Sequence, residues 1–168
     1  MIVATTQRLI LRDLEERDAA NIFELNSDPE VMKHVHDVPF ADMDAARQWI
    51  LNTHQQLPHG FGRYAIETHD GVWIGRCSLR RSSPDGTLMG YRLLREHWGK
   101  GYATEAARGL LDLAFDKLDL DQVVCKVART NKASQRVMEK NGGRFWKEGS
   151  ATNFADALVY RFDRGSTS

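Results

Sequence analysis

Only two cysteines, Cys77 and Cys125, occur among 168 residues, which excludes a disulfide framework as the source of stability. Both lie inside apolar, strand-like runs, as reduced, buried thiols do. Net charge is missing too. The 23 basic residues balance 23 acidic ones, so no global field draws the molecule to nucleic acid or a membrane surface, and no basic patch interleaved with aromatics argues for nucleic acid. No apolar run reaches about 18 residues, and Met1-Ile2-Val3-Ala4-Thr5 is not a basic segment leading into an apolar core. Neither a membrane span nor a secretion leader is expected, and the expected location is cytoplasmic. Repeats, linkers and low-complexity tracts are absent. With 42% hydrophobic residues, one domain over residues 1–168 is expected to bury its own core.

What is present alternates between two periods. Leu9-Ile10-Leu11-Arg12 reads as a first strand, and a helix follows from Glu15 to Asn26 with Ala19, Ile22, Phe23 and Leu25 towards one face. Asp28-Pro29 breaks that pattern and starts a short helix carrying Val31 and Met32, before a further helix from Asp42 to Leu57. Strands are predicted at Arg63 to Thr68, Val72 to Arg80 and Leu88 to Leu94, joined by turns at His69-Asp70-Gly71 and Ser82-Ser83-Pro84-Asp85-Gly86. Ala103, Ala106, Ala107, Leu110, Leu111, Ala114 and Leu118 give a long amphipathic helix. A strand at Val123 to Ala128, a helix from Asn131 to Asn141 stopped by Gly142-Gly143, and strands at Phe145 to Lys147 and Leu158 to Phe162 close the chain.

The segment Glu96-His97-Trp98-Gly99-Lys100-Gly101-Tyr102-Ala103-Thr104, between a strand and the long helix, carries the most chemistry. Glycines at 99 and 101 let an anion approach the backbone, and the first helical turn leaves N–H groups without intrahelical partners. With the positive end of the helix dipole, these donors suit a diphosphate. The Walker A spelling is absent, and the dinucleotide pattern G-x-G-x-x-G fails at Thr104.

At these residues the chain resembles the GNAT N-acetyltransferases, and among them the ribosomal-protein alanine N-acetyltransferase branch. Arg8-Leu9-Ile10-Leu11-Arg12, Asp28-Pro29-Glu30-Val31-Met32, Ile74-Gly75-Arg76, Gly90-Tyr91, Trp98 to Ala106, Asn131-Lys132-Ala133-Ser134 and Lys140-Asn141-Gly142 carry the likeness in order along nearly the whole chain. The resemblance implies an α/β fold: a mixed, mostly antiparallel sheet of about seven strands flanked by helices, with splayed central strands. It implies acetyl-CoA as donor. The pantetheine arm would lie between Leu88 to Leu94 and Val123 to Ala128 and bond backbone groups near Leu93 and Leu94. The diphosphate would take amides of Gly99, Lys100, Gly101, Tyr102, Ala103 and Thr104. Asn131 would bond pantetheine, Lys140 would add positive charge near the phosphates, and Ser134 would protonate the departing thiolate. A backbone amide near Leu93 or Leu94 would stabilise the oxyanion.

Two positions depart from the family pattern. Glu96 stands where Arg or Gln is usual, and Leu88 stands where the branch often places a glutamate base. Asp85, Glu148, Asp156 and the His34/His36 pair are candidate substitutes. A base matters less for a weakly basic amine: an α-amino group near pKa 7.7 to 8.0 gives up its proton at pH 7 for about 1 kcal/mol, a lysine near 10.4 for about 4.6. The expected acceptor is therefore a protein or peptide α-amino group, the alternatives being a small-molecule amine such as a polyamine, aminoglycoside or amino acid, or a non-catalytic acetyl-CoA sensor. Asp37, Asp42 and Asp44 hint at an acidic cleft that would favour polycations.

Other residues have plainer readings. Asn131 and Ser134 fit an N-cap and its third helical position. Gly109 marks close helix packing, Trp49, Trp73 and Trp98 are packing residues with Trp98 beside the loop, and Glu105, Arg108 and Asp112 form a charged helix face. His34 and His36 lack a third ligand, so no metal is expected. Direct transfer needs neither cysteine. The protein is expected as monomer or homodimer.

Overall fold

A computed structural model describes residues 1–35, 37–55, 61–82, 84–151 and 154–165. One sheet of eight strands runs through it: β1 (Ile2–Thr5), β2 (Leu9–Asp13), β3 (Gly62–Thr68), β4 (Trp73–Ser82), β5 (Gly86–Leu93), β6 (Gln122–Ala128), β7 (Arg144–Ala151) and β8 (Phe154–Asp163), in the order β1-β2-β3-β4-β5-β6-β8-β7. The mixed, mostly antiparallel architecture is as expected, with one strand more. β1 is the addition: four residues with a single buried side chain, Ala4, give too little alternation to register as a strand.

Every neighbouring pair is antiparallel except β5 and β6, which run parallel and pair only at Leu88 with Val124 and Met89 with Cys125. Beyond Met89 the two strands part. β5 continues on β4 alone as far as Leu93, and β6 continues on β8 alone as far as Ala128. The expected splay is therefore present and opens towards the C-terminal ends of both strands.

Helices cover both faces. On one, α1 (Ala19–Ser27), α2 (Pro29–Met32) and α3 (Met43–Gln55) fill the connection between β2 and β3. The helix expected from Glu15 starts instead with a 3-10 turn, Glu16–Asp18, because the Asp18 carboxylate accepts the Glu15 amide at 2.7 Å and is forked by the buried Arg12 guanidinium through two 2.8 Å bonds. Leu57, the expected end of α3, lies outside the described residues. On the other face, α4 (Tyr102–Asp112) continues through a π-turn to Lys117, and α5 (Lys132–Lys140) ends in a Schellman motif, with Gly142 donating to the Glu139 carbonyl and Gly143 to that of Met138.

The sheet separates two apolar clusters. Leu9, Leu11, Ile66, Cys77, Leu79 and Met89 pack against Ala107, Leu110 and Leu111 of α4. Ala65 and Trp73 pack against Ile22, Leu25 and Ile50 of α1 and α3. Each fully buried Leu or Ile here is worth about 1.5–3 kcal/mol. Gly109 is a contact point: a Cβ there would sit 3.0 Å from Thr6 Cγ2 and 3.2 Å from Leu11 Cδ1, so its absence lets α4 settle on β2. Among the described residues no helix is long and apolar enough to cross a membrane.

Candidate active site

The fork between β5 and β6 exposes backbone, and its pairing pattern says which groups. The Leu94 amide donates to the Ile74 carbonyl at 3.0 Å. In an antiparallel ladder such pairs alternate with pairs whose N–H and C=O point away, so the amides of Leu93 and Tyr91 face the fork. That geometry corrects one expectation: the Leu94 amide is committed to β4 and cannot serve an oxyanion. The Leu93 carbonyl is taken as well, by Trp98 Nε1 at 2.9 Å, so Trp98 tethers the glycine loop to the end of β5 rather than only packing there.

The loop itself adopts the conformation its glycines allow. Gly99 and Gly101 have φ of +72° and +80°, and Gly101 is the N-cap of α4. Among the described residues no side chain caps that helix, and its first intrahelical bond runs from the Glu105 amide to the Gly101 carbonyl. The amides of Tyr102, Ala103 and Thr104 are thus left for an anion. Glu105 is more than part of a charged surface: its carboxylate accepts Thr6 Oγ1 and the amide and Nε of Arg8, each at 2.6 Å. Arg8 also donates to the Lys100 carbonyl at 2.9 Å and lies 4.6 Å above the Tyr102 ring. The loop is therefore clamped to the start of β2. Lys100 and Lys140 are both exposed. Asn141 binds the Thr104 carbonyl at 3.2 Å, which brings the last turn of α5, and with it Lys140, beside the first turn of α4.

Across the fork, Tyr91 on the freed arm of β5 meets Ser134 of α5, hydroxyl to hydroxyl at 2.9 Å. Burial pushes the Tyr91 phenol up, and the Ser134 bond offsets this only in part, so the pair holds its protons at neutral pH. Asn131 is the N-cap of α5, its Oδ1 accepting the Ser134 amide at 3.1 Å, which fixes Ser134 in place. In the sequence Tyr91 stands out only as half of a Gly-Tyr pair. Its role depends on a partner 43 residues away, and nothing local announces that.

The candidate bases fare poorly. Asp85 is bonded by Lys147 at 2.5 Å and Lys126 at 2.9 Å, and these two ammonium groups hold its carboxyl below the usual range. Glu148 and Asp156 share the exposed Arg129. His34 Nδ1 sits 3.2 Å from Thr130 Oγ1, so the segment after α2 reaches the loop beyond β6 and borders the fork; His36 lies outside the described residues. The acidic cleft is likewise not formed. Asp42 caps α3 through the Ala45 amide, Asp44 pairs with Arg47, and Asp37 is ion-paired with Arg92. Both cysteines are buried, with the Cys125 thiol pushed up to about 12 by that burial and Cys77 higher still, so neither is a nucleophile. Among the described residues no three His, Cys, Asp or Glu side chains gather as metal ligands would.

An uncapped, clamped helix N-terminus beside a backbone fork is an arrangement that a diphosphate with an extended arm would fit, as a CoA-dependent acyltransferase requires. Residues 8–144 match the acetyltransferase (GNAT) domain, and the chain belongs to that family, whose reaction is acetyl transfer from acetyl-CoA. It is 35% identical over 157 residues to p20 of Bacillus licheniformis, an uncharacterized N-acetyltransferase, covering 90% of this chain and 86% of p20. Among solved structures, RimL, a ribosomal L7/L12 α-N-protein acetyltransferase in complex with coenzyme A, superposes with a TM-score of 0.83 at 18% identity, over 97% of this chain and 98% of RimL. Spermidine N-acetyltransferase from Vibrio cholerae with CoA and spermine gives 0.80 at 22%, over 95% and 97%. These two likenesses establish the fold.

Proposed function

We propose that the protein acetylates a primary amine, a protein or peptide α-amino group before any other, by direct transfer within the fork. The Tyr91–Ser134 pair spanning the freed arm of β5 and α5 carries this reading. Acetyl-CoA would lay its diphosphate on the amides of Gly99, Lys100, Gly101, Tyr102, Ala103 and Thr104, with Lys140 adding charge. Its pantetheine would lie along the Tyr91 and Leu93 edge, with Asn131 Nδ2 as a donor. The neutral amine attacks the thioester carbonyl, the C–N bond forms, and the Leu93 or Tyr91 amide receives the oxyanion. The C–S bond then breaks. The thiolate takes a proton from Ser134, which regains one from water through Tyr91, and the new ammonium loses its proton to water. With Asp85, Glu148 and Asp156 held in ion pairs, an α-amino group is favoured over a lysine, because about 1 rather than 4.6 kcal/mol separates it from its reactive form at pH 7.

Thiol release from acetyl-CoA tests this against peptides with free α-amino groups, polyamines, aminoglycosides and amino acids. Turnover with peptides supports the proposal, and turnover with amino acids, polyamines or aminoglycosides in their place would keep the acetyl transfer but move the acceptor to a small-molecule amine. Binding of acetyl-CoA without turnover of any amine would replace it with an acetyl-CoA sensor, the reading that Leu88 in the usual base position favours.

A further inference from the structure

On the sheet face covered by α1 and α3 lies a cavity of about 320 Å³, within the range of small-molecule sites. Four guanidiniums line it, those of Arg63, Arg76, Arg80 and Arg92, and Asp37 is the one carboxylate among its described lining residues. The strand registers explain the convergence. Arg76 stands opposite Arg92, Arg80 opposite Leu88, and Arg63 opposite Ser78, which lies between Arg76 and Arg80 on the same face of β4. Trp49 supplies an aromatic wall, its ring 4.6 Å from the Arg63 guanidinium and 5.3 Å from that of Arg76.

The arrangement is uphill as it stands. Burial, and then repulsion from Arg92 and Arg63, press the Arg76 guanidinium well below its ordinary pKa. Burial lowers Arg80, and burial with repulsion from Arg80 takes Arg63 down to about 10. Arginine keeps its proton in proteins, so an incoming anion, not proton loss, relieves this. Hydrogen bonding agrees: Nε of Arg76, a residue only 9% exposed, and Nε of Arg80 are buried without a partner among the described residues, a state that folded proteins rarely tolerate. Asp37 shows what the cavity accepts. Burial alone would raise its carboxyl, yet the Arg92 bond and the charges of Arg76 and Arg80 hold it below its ordinary value.

We infer that this cavity is the anion subsite of the acceptor: the amine to be acetylated carries a carboxylate or phosphate that seats on Arg76 and Arg80. This rests on the acetyl-transfer reading above for the identity of the ligand, though not for the anion binding itself. Arg92 is flanked in β5 by Tyr91 and Leu93, whose backbone edges the fork. An anion held in the cavity therefore leaves a nitrogen a few bonds away facing the thioester. A polycation would instead meet three more positive charges than negative ones, so polyamines are excluded as preferred acceptors.

The test has two arms. Thermal unfolding and calorimetry with succinate, inorganic phosphate and neutral succinamide read the subsite without catalysis. Saturable binding of succinate or phosphate but not succinamide, weakened at least tenfold in R76Q and R80Q, supports the inference; binding that ignores both substitutions, or no binding, overturns it. Thiol release then compares glutamate with its diamide, a Glu-led dipeptide amide with its Gln counterpart, phosphoethanolamine, and spermidine. These pairs separate a free carboxylate, an acidic side chain and a phosphate as the source. The charged member should win by at least tenfold in kcat/KM, and R80Q should erase that preference with the KM for acetyl-CoA unchanged. Equal or better turnover of the neutral members or spermidine overturns it. Anion binding that depends on Arg80, with no amine turned over, would sink the acetyl-transfer proposal and leave the subsite standing. If R76Q fails to fold, R80Q, less deeply buried, decides the matter.

Discussion

Glu105 holds Arg8 at both its backbone amide and its Nε, each at 2.6 Å, and so ties the start of α4 to the start of β2 across 97 residues of sequence. Arg8 then holds the Lys100 carbonyl inside the glycine loop. The clamp aims the amides of residues 102–104, so E105Q, which weakens charge-assisted bonds to neutral ones at about 1 kcal/mol, is expected to raise the KM for acetyl-CoA about fivefold and leave kcat nearly intact. Steady-state kinetics with acetyl-CoA as the varied substrate reads this. An unchanged KM would show that the loop holds its shape unaided.

The same carboxylate predicts a pH dependence. Burial raises the Glu105 carboxyl, but the bonds from Thr6 and Arg8 outweigh it, and the net shift is downward. A lowered carboxyl stabilises the fold above its unfolded pKa, about 4.3 for glutamate, and that contribution is lost as pH falls through the folded value. Urea unfolding between pH 7 and pH 3 should therefore show wild-type stability falling more steeply than that of E105Q. Parallel curves would dismiss the linkage.

Removing either hydroxyl of the Tyr91–Ser134 pair is expected to slow acetyl transfer. S134A should lower kcat about a hundredfold, at the low end for a lost general acid, and Y91F should lower it less, since Ser134 still reaches the sulfur. The effect should shrink with acetyl thioesters of more acidic thiols, whose leaving groups need no proton. A deficit independent of leaving group would assign the pair to positioning alone. C77A with C125A should keep kcat, and any stability change, read by denaturant, reflects two small buried groups at about 1 kcal/mol each.

Replacing Gly101 with alanine forces a Cβ into a left-handed conformation at about 1–2 kcal/mol and places it 3.3 Å from Arg8 Nη2. Affinity for coenzyme A should fall while that for pantetheine, which lacks the diphosphate, stays the same. Equal losses for both ligands would point to a damaged fork instead of a damaged phosphate cradle.

What the sequence revealed was local. Gly99 and Gly101 announce a turn, Asn131 announces an N-cap three residues before Ser134, and Gly142-Gly143 announces a helix stop; each signal and its consequence lie within one turn of chain. The hidden features are pairings at a distance. Glu105 looks like a surface residue until β2 brings Arg8 to it, and Tyr91 looks like any strand aromatic until α5 supplies Ser134. The arginine cavity was concealed twice. A net charge of zero averages it away, and Arg63, Arg76, Arg80 and Arg92 come from three strands whose register no single segment encodes.

That cavity also gives a physical reason for Leu88. It stands directly opposite Arg80, so a glutamate at this position would face a guanidinium at cross-strand distance, stay ionised and bind it. Such a carboxylate is a weak base and an occupant of the anion subsite. L88E is therefore expected not to raise kcat for any amine, and to raise the KM for a carboxylate-bearing acceptor at least tenfold, with the KM for acetyl-CoA unaffected. L88Q, similar in size but uncharged, should show the smaller change. If L88E instead accelerates transfer and its rate rises with pH through a new ionisation, the position is a base site left vacant, and the arginines opposite it do not govern the acceptor.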